Sequence, residues 1–531
     1  MQSILNRSRT HPWLRPAAAA VLVAACLAAA GCGGGESSAR FGISELPSSV
    51  RAHPQASGGR QRPNIVFVLT DDLSLDLLRY MPHVLAMERH GLTFRDYFVS
   101  DSLCCPSRAS IFTGRYPHDT HVLDNTGFNG GFKAFYRRGE EEHTFDLNLQ
   151  RSGYLTAMMG KYLNGYLESP TSVHEATSAA DVPSAYVSPG WNEWSAAGWG
   201  YPEFDYQLNQ GGTLYHFGHR PDDYMTNVLA RKGVQFIHAA AQRHQPFFLE
   251  LATFAPHKPY VPAPRDAHDF PGLKAPRPPN FNVLPTYPPR WLSVRPPLAR
   301  DQIREIDRVF RRRAQSVQAV DRMIGRIEQA LAATGQARNT YVVFSSDNGL
   351  HTGEYRLMPG KLTAFNTDIH VPLIVTGPGV KPGTSTNAVA ENIDLAKTFA
   401  AIGGARMFGD GHSLLGLWRG RMPVDWRNVA LIEHYAPRPT NRDPDYQPSA
   451  SGLPNTYAAM RTRSYLFVEY SDGEIEFYDL RRDPYELHNI AGRLTYQQLA
   501  GLSFELDALK NCHEGHSCWA AMHIPPLPGR W

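Results

Sequence analysis

Several stretches of this chain are apolar without alternation, and each stops abruptly at polar residues. Asn64–Thr70 reads Asn-Ile-Val-Phe-Val-Leu-Thr and ends in Asp71-Asp72. Thr340–Phe344 runs into Ser345-Ser346-Asp347-Asn348-Gly349. Continuous β-branched runs of this kind predict strands buried on both faces, as in a parallel sheet covered by helices. His370–Gly379 reads as a further buried strand and its turn, and Phe247–Phe254 is an apolar run ending at Ala255-Pro256-His257. Elsewhere the period changes. From Asp301 to Thr334, Ile303, Ile306, Phe310, Val317, Val320, Ile324, Ile327 and Leu331 fall at helical spacing, and Gly335 is a good stop. Arg311-Arg312-Arg313 on that helix reads as a solvated face, with acidic glycans as the alternative partner. Pro271–Pro297 predicts an irregular excursion over the surface. Tyr465–Tyr478 alternates around Asp472-Gly473, which predicts a hairpin.

The polar ends carry the chemistry. Two buried strands that finish in Asp71-Asp72 and Asp347-Asn348 would bring four hard oxygen ligands to the carboxyl edge of one sheet, where open α/β sheets build their sites. Carboxylates with an amide oxygen favour Ca²⁺ or Mg²⁺ over zinc. Asp71-Asp72 alone reads equally well as a helix cap after a strand. A third segment changes that balance. Cys104-Cys105-Pro106-Ser107-Arg108 is followed by Thr113-Gly114-Arg115. Pro106 suits a first helical turn, and Gly114 suits the stop of a short helix. Cys104 then sits at a helix mouth, where free N–H groups favour an anion.

This Cys-x-Pro-Ser-Arg signature resembles that of the type I sulfatases, and the resemblance runs from about Arg62 to about Gly492. It implies an alkaline-phosphatase-like α/β fold: a large, mixed, mostly parallel sheet flanked by helices, with a smaller C-terminal antiparallel-sheet subdomain. It also implies that Cys104 is oxidised to formylglycine by a formylglycine-generating enzyme. The hydrated aldehyde would attack sulfur with one hydroxyl and release sulfate through the other. By the same resemblance, Asp71, Asp72, Asp347, Asn348 and the modified Cys104 hold Ca²⁺, ahead of Mg²⁺. Arg108, Lys161 and Lys361 meet sulfate, and His257 protonates the leaving oxygen. Two positions depart from the general pattern: Leu163 follows Gly160-Lys161-Tyr162, and Tyr355 follows Gly353-Glu354, where many relatives carry His. Both departures occur together in the N-acetylglucosamine-6-sulfatase and heparan endosulfatase group, which Gly160–Asn164 and Asp347–Gly353 resemble closely. Asn164 and His351 are then candidates beside the substrate. Trp191 and Trp194, in an aromatic stretch reaching Tyr206, are candidates for stacking on a sugar ring, with ordinary packing as the equal alternative.

The expected organisation is a signal peptide over 1–31, a flexible tether over 32–62, a catalytic domain over 63–415 and a C-terminal subdomain and tail over 416–531. Arg7, Arg9 and Arg15 precede an apolar Ala17–Ala30 stretch, and Leu27–Cys32 resembles a lipoprotein box with Cys32 as the lipidated residue. Ordinary cleavage is the alternative, so the expectation is export, anchored at the cell surface by lipid or free in the periplasm or medium. Cys512 and Cys518 form a plausible disulfide for such a compartment, with zinc and His513 and His516 as the competing reading. A net charge of +3 is too small to argue for nucleic acid or membrane binding, and no nucleic-acid partner is expected. The expected function is hydrolysis of a sulfated sugar, 6-O-sulfated N-acetylglucosamine in particular. The alternatives are a broad arylsulfatase, a phosphate or phosphonate ester hydrolase, or a catalytically silent glycan-binding lipoprotein.

Overall fold

The computed structural model describes residues 62–167, 185–436, 443 and 445–527. The segments expected to be a signal peptide and a tether, with Cys32, lie outside the described residues apart from Arg62. Ten strands form one sheet. In spatial order they are Thr384–Thr386, Leu92–Phe94, Leu373–Thr376, Thr340–Ser346, Asn64–Thr70, Phe247–Ala252, Leu155–Lys161, Glu193–Ala197, Tyr206–Gln210 and Thr213–Phe217. The middle of the sheet is parallel: Asn64–Thr70 pairs in parallel with both Phe247–Ala252 and Thr340–Ser346. Leu155–Lys161 continues the parallel order to Glu193–Ala197, and the two hairpin strands beyond it are antiparallel. Leu373–Thr376 is antiparallel to both of its neighbours. The sheet is therefore mixed and mostly parallel, as expected.

Its apolar strands are continuous because both faces are covered. Ile65, Phe67 and Leu69 pack with Ala109, Phe112, Phe399 and Ile402, from the Cys104–Thr113 and Asp394–Gly403 helices. Val66 and Val68 share the opposite core with Val228, Phe236, Ile306, Val317 and Ile324 of the Met225–Arg243 and Arg300–Ala333 helices. The second of these, about 50 Å long at 1.5 Å per residue, matches its predicted span within one residue at each end. Its run of three arginines splits as the helix turns. Arg312 is exposed, Arg311 is half-buried, and Arg313 is buried and donates to the carbonyl of Asp72, which corrects the reading of all three as a solvated face.

The predicted hairpin belongs to a second, four-stranded antiparallel sheet, Val429–His434, Tyr457–Thr462, Tyr465–Tyr470 and Ile475–Asp479. One face packs on Leu502, Leu506 and Leu509 of the Tyr496–Lys510 helix. Ala430, Ile432, Ala459, Leu466 and Val468 on the other face join the core of the main sheet, so the hydrophobic interior is continuous between the two. Cys512 and Cys518 are joined as a disulfide. Among the described residues, no helix is long and apolar enough to cross a membrane.

Candidate active site

The site begins at the carboxyl ends of three adjacent parallel strands. Asn64–Thr70 delivers Asp71 and Asp72, Thr340–Ser346 delivers Asp347 and Asn348, and Phe247–Ala252 leads to His257. Lys161 is the last residue of the Leu155–Lys161 strand. The glycine before it is required by close packing: a Cβ on Gly160 would lie 1.9 Å from the carbonyl oxygen of Ala252. Across from these ends, the helix Cys104–Thr113 opens with its first turn toward the sheet and stops at Gly114 in the left-handed conformation.

All the predicted catalytic and metal-ligating residues meet here, and all are buried. The Sγ of Cys104 donates to Asp71 Oδ1 at 3.1 Å, and Lys361 Nζ donates to Cys104 Sγ at 2.8 Å. Lys161 Nζ lies 2.6 Å from Asp71 Oδ2, and Lys361 Nζ lies 2.7 Å from Asp72 Oδ1. Arg108 Nε donates to Asp347 Oδ2 at 2.7 Å, and its Nη1 donates to the carbonyl of Lys161 at 2.9 Å. Asn348 Nδ2 donates to Asp72 Oδ1 at 2.6 Å, while Asn348 Oδ1 is buried with no hydrogen-bond partner. His257 Nδ1 bonds the carbonyl of Lys258 at 2.6 Å, and Nε2 stands 3.6 Å from Asp72 Oδ2. The neighbouring Cys105 turns the other way, into the core beside Ala109 and Phe112.

Burial and charge set the state of these groups. Burial, then the carboxylates of Asp347, Asp445 and Asp71, push the Cys104 thiol well above its ordinary range, so the unmodified side chain is a neutral donor. Burial works against the charge of Lys161, but Asp71 outweighs it; for Lys361 the opposing carboxylates are Asp445 and Asp72. Both ammonium groups therefore stay charged. Among the described residues, Asp71, Asp72, Cys104 and His257, whose ligand atoms lie within 4.8 Å of one another, form the one group suited to holding a metal ion whose members are all buried. Its hard oxygens and the unpartnered oxygen of Asn348 fit a divalent cation.

Asp445 is a member that the sequence reading missed. It lies in the connection from His434 to Tyr457, yet its side chain is 1% exposed. Oδ1 is 2.7 Å from Lys361 Nζ and accepts from His257 Nε2. Oδ2 accepts from Asn125 Nδ2 at 2.7 Å and from Asn164 Nδ2 at 3.0 Å. Burial raises its carboxyl, but Lys361 and His257 outweigh that and hold it well below the usual range. The one available signal was length: loops beyond about 12 residues inside a compact domain tend to be functional. Tyr201 falls within the aromatic stretch that reaches Tyr206. It packs on His257 with ring centroids 4.6 Å apart and lies under Lys161 at 5.1 Å.

Three expectations for substrate contact need correction. Trp191 and Trp194 lie in the main core, 7% and 1% exposed, packed on Phe248 and Tyr162, and so have no face for a sugar. His351 is buried with Nδ1 on Asp368 and Nε2 on the carbonyl of Ser451, each at 3.0 Å, so both ring nitrogens are committed to the structure. Asn164, by contrast, does lie at the site through Asp445 and Tyr201.

Residues 63–405 match the family model described as Sulfatase. The chain belongs to the sulfatase family. Residues 353–511 also match the C-terminal model of N-sulphoglucosamine sulphohydrolase. This sulfatase is 34% identical to human N-acetylglucosamine-6-sulfatase over 491 residues, covering 87% of each chain. It is 25% identical over 533 residues to N-acetylglucosamine-6-O-sulfatase of Bacteroides thetaiotaomicron, covering 86% of this chain and 87% of that one. Among solved structures, a protein in complex with its substrate D-glucosamine-2-N,6-O-disulfate superposes with a TM-score of 0.66 at 23% identity, covering 84% of this sulfatase and 97% of that chain. A phosphonate monoester hydrolase from Silicibacter pomeroyi shares the fold at a TM-score of 0.62 and 22% identity, covering 83% and 93%.

Proposed function

We propose that this sulfatase removes the 6-O-sulfate from a glucosamine-type sugar, through a formylglycine made from Cys104. The observation that carries the reading is the convergence on the Cys104 side chain of Lys361 and Asp71, with Lys161 and Arg108 one contact further out. Formylglycine, as its hydrate, supplies a hydroxyl nucleophile and a second hydroxyl whose deprotonation lets sulfate leave. Lys161 and Lys361 hold the sulfate oxygens and balance the charge that grows on them, while Arg108 fixes Asp347 and the end of the Lys161 strand. His257 gives its Nε2 proton to the sugar oxygen as the S–O bond breaks. Asp71, Asp72, Asp347, Asn348 and the Cys104-derived side chain would hold a divalent cation, Ca²⁺ ahead of Mg²⁺. Bound there, it would polarise the sulfate. The substrate choice rests on relatives: the human and Bacteroides proteins are named for N-acetylglucosamine 6-sulfate, and the structural neighbour was solved with a 6-O-sulfated glucosamine.

The reading includes maturation by a formylglycine-generating enzyme and export by the N-terminal segment. Lipid attachment at Cys32 is the form of export that the Leu27–Cys32 box favours. Mass spectrometry of the peptide spanning residues 98–115 tests the core of the proposal. Conversion at Cys104, together with sulfate release from N-acetylglucosamine 6-sulfate, is the expected result. Full activity of a chain whose Cys104 is unmodified overturns it.

A further inference from the structure

Asp445 poses a physical problem for an anion-binding site. Its carboxylate rests on Lys361 and His257, two of the groups that the proposed function assigns to the sulfate ester. Asn125 and Asn164 grip its other oxygen, and Asn125 is itself fixed by accepting the N–H of Cys105 at 2.9 Å. The flanking backbone is anchored as well. Lys258 Nζ donates to the carbonyl of Tyr446, and Gln447 accepts the N–H of Lys361. Asp445 is thus built into the wall beside the reacting group. When a sulfate ester takes over Lys361 and His257, Asp445 Oδ1 loses its donors and stands beside an anion. A buried carboxylate oxygen stripped of its donors is costly even while Asn125 and Asn164 hold the other oxygen. The cost is offset only by a substrate that brings donors of its own. A hexosamine 6-sulfate carries ring hydroxyls next to the ester, whereas 4-nitrophenyl sulfate carries no donor on its ring.

We propose that Asp445 is a specificity-determining residue that accepts a hydrogen bond from a sugar hydroxyl beside the scissile ester, selecting sugar sulfates over aryl sulfates. The inference rests on the proposed function for the placement of sulfate. A site built to bond a substrate hydroxyl rejects the analogue that lacks it far more strongly than an apolar pocket rejects a missing methylene.

The test compares kcat/KM for N-acetylglucosamine 6-sulfate and for 4-nitrophenyl sulfate in wild type, Asp445→Ala and the isosteric Asp445→Asn. Formylglycine content and Tm are measured on each variant. In Asp445→Ala the ratio of sugar to aryl turnover is expected to fall about 100-fold, with the aryl sulfate gaining because the competing carboxylate is gone. Asp445→Asn, which keeps an acceptor without the charge, should fall between. A proportional loss on both substrates would make Asp445 a positioning residue for the cradle, and a proportional gain on both would make it a plug. Either overturns the inference while leaving the sulfatase reading intact. Wild-type protein that hydrolyses neither compound overturns the proposed function, and the inference with it.

Discussion

Two buried ionic clusters in this molecule are built differently. In one, Arg427 donates to Glu391 Oε2 and Asp394 Oδ2, and Tyr116 OH reaches Glu391 at 2.9 Å. The remaining oxygens accept backbone N–H groups: Leu431 donates to Glu391 Oε1 at 3.1 Å and His412 to Asp394 Oδ1 at 2.7 Å. In the other, Asp71 and Asp72 are met by two lysine ammonium groups, a thiol and an amide. Backbone donors and a guanidinium wedged between two carboxylates have nowhere else to go. Lysine ends, a thiol and an imidazole can exchange one partner for another. Burial of charge is common to both clusters, so it does not mark the active site. Exchangeable partners around a helix mouth do.

The largest expected effect separates the clusters outright. Cys104→Ala should lower kcat/KM by at least about 1,000-fold, the scale on which single nucleophile deletions act, while the denaturation midpoint stays near wild type. Cys105→Ala should keep most activity, because that thiol belongs to the hydrophobic core while Cys104 is the one bonded to Asp71 and Lys361. A Cys104→Ala protein with ordinary turnover would place the nucleophile elsewhere.

Next comes the metal. Chelation should abolish turnover, and Ca²⁺ should restore it. Asp347→Ala should lose both the bound ion and at least about 100-fold in rate, the upper range seen even for residues that only support metal ligands. Elemental analysis showing stoichiometric zinc, or two ions per chain, would contradict the single hard-cation reading.

The opposite signature is expected from Arg427→Leu. Removing one partner of a buried ion pair leaves uncompensated carboxylates, at a cost of about 3–5 kcal/mol. Burial already pushes the Glu391 carboxyl up to about 8, so part of that cost is relieved by protonation. Denaturant midpoints should fall clearly, with kcat/KM per folded molecule unchanged. A loss of turnover in step with that of Cys104→Ala would mean the two clusters are coupled.

The same contrast explains what could be read from the sequence. The parallel core of the sheet was legible because strands covered on both faces leave unbroken apolar runs, as in Asn64–Thr70 and Thr340–Phe344. The residues now gathered at the site were nameable because each follows such a run or lies in a short motif. Orientation was less accessible. Successive helical residues turn by about 100°, so Arg313 points inward although it reads like Arg312. An aromatic-rich stretch does not announce which side faces the interior, and Trp191 and Trp194 went to the core while Tyr201 went to the site. Asp445 arrives from a connection in the second sheet, across a distance in sequence that no local pattern encodes.

The smallest predicted effect concerns a contact between these two kinds. His118 bonds Glu433 Oε2 through Nδ1 and the carbonyl of Cys512 through Nε2, each at 2.8 Å, tying the segment after the Cys104 helix to the second sheet and to the disulfide. Burial lowers its pKa, but the Glu433 hydrogen bond and charge prevail and raise it from 6.5 to about 9. The folded value lies above the unfolded one, so protonation favours the fold. This contribution is complete below pH 6.5 and is lost as pH rises through about 9. His118→Gln keeps a hydrogen-bonding side chain but cannot titrate. Its Tm deficit against wild type should therefore be greatest below pH 6.5 and shrink above about 9. A deficit that stays constant across that window would show that the His118–Glu433 contact works through packing and neutral hydrogen bonds rather than through charge.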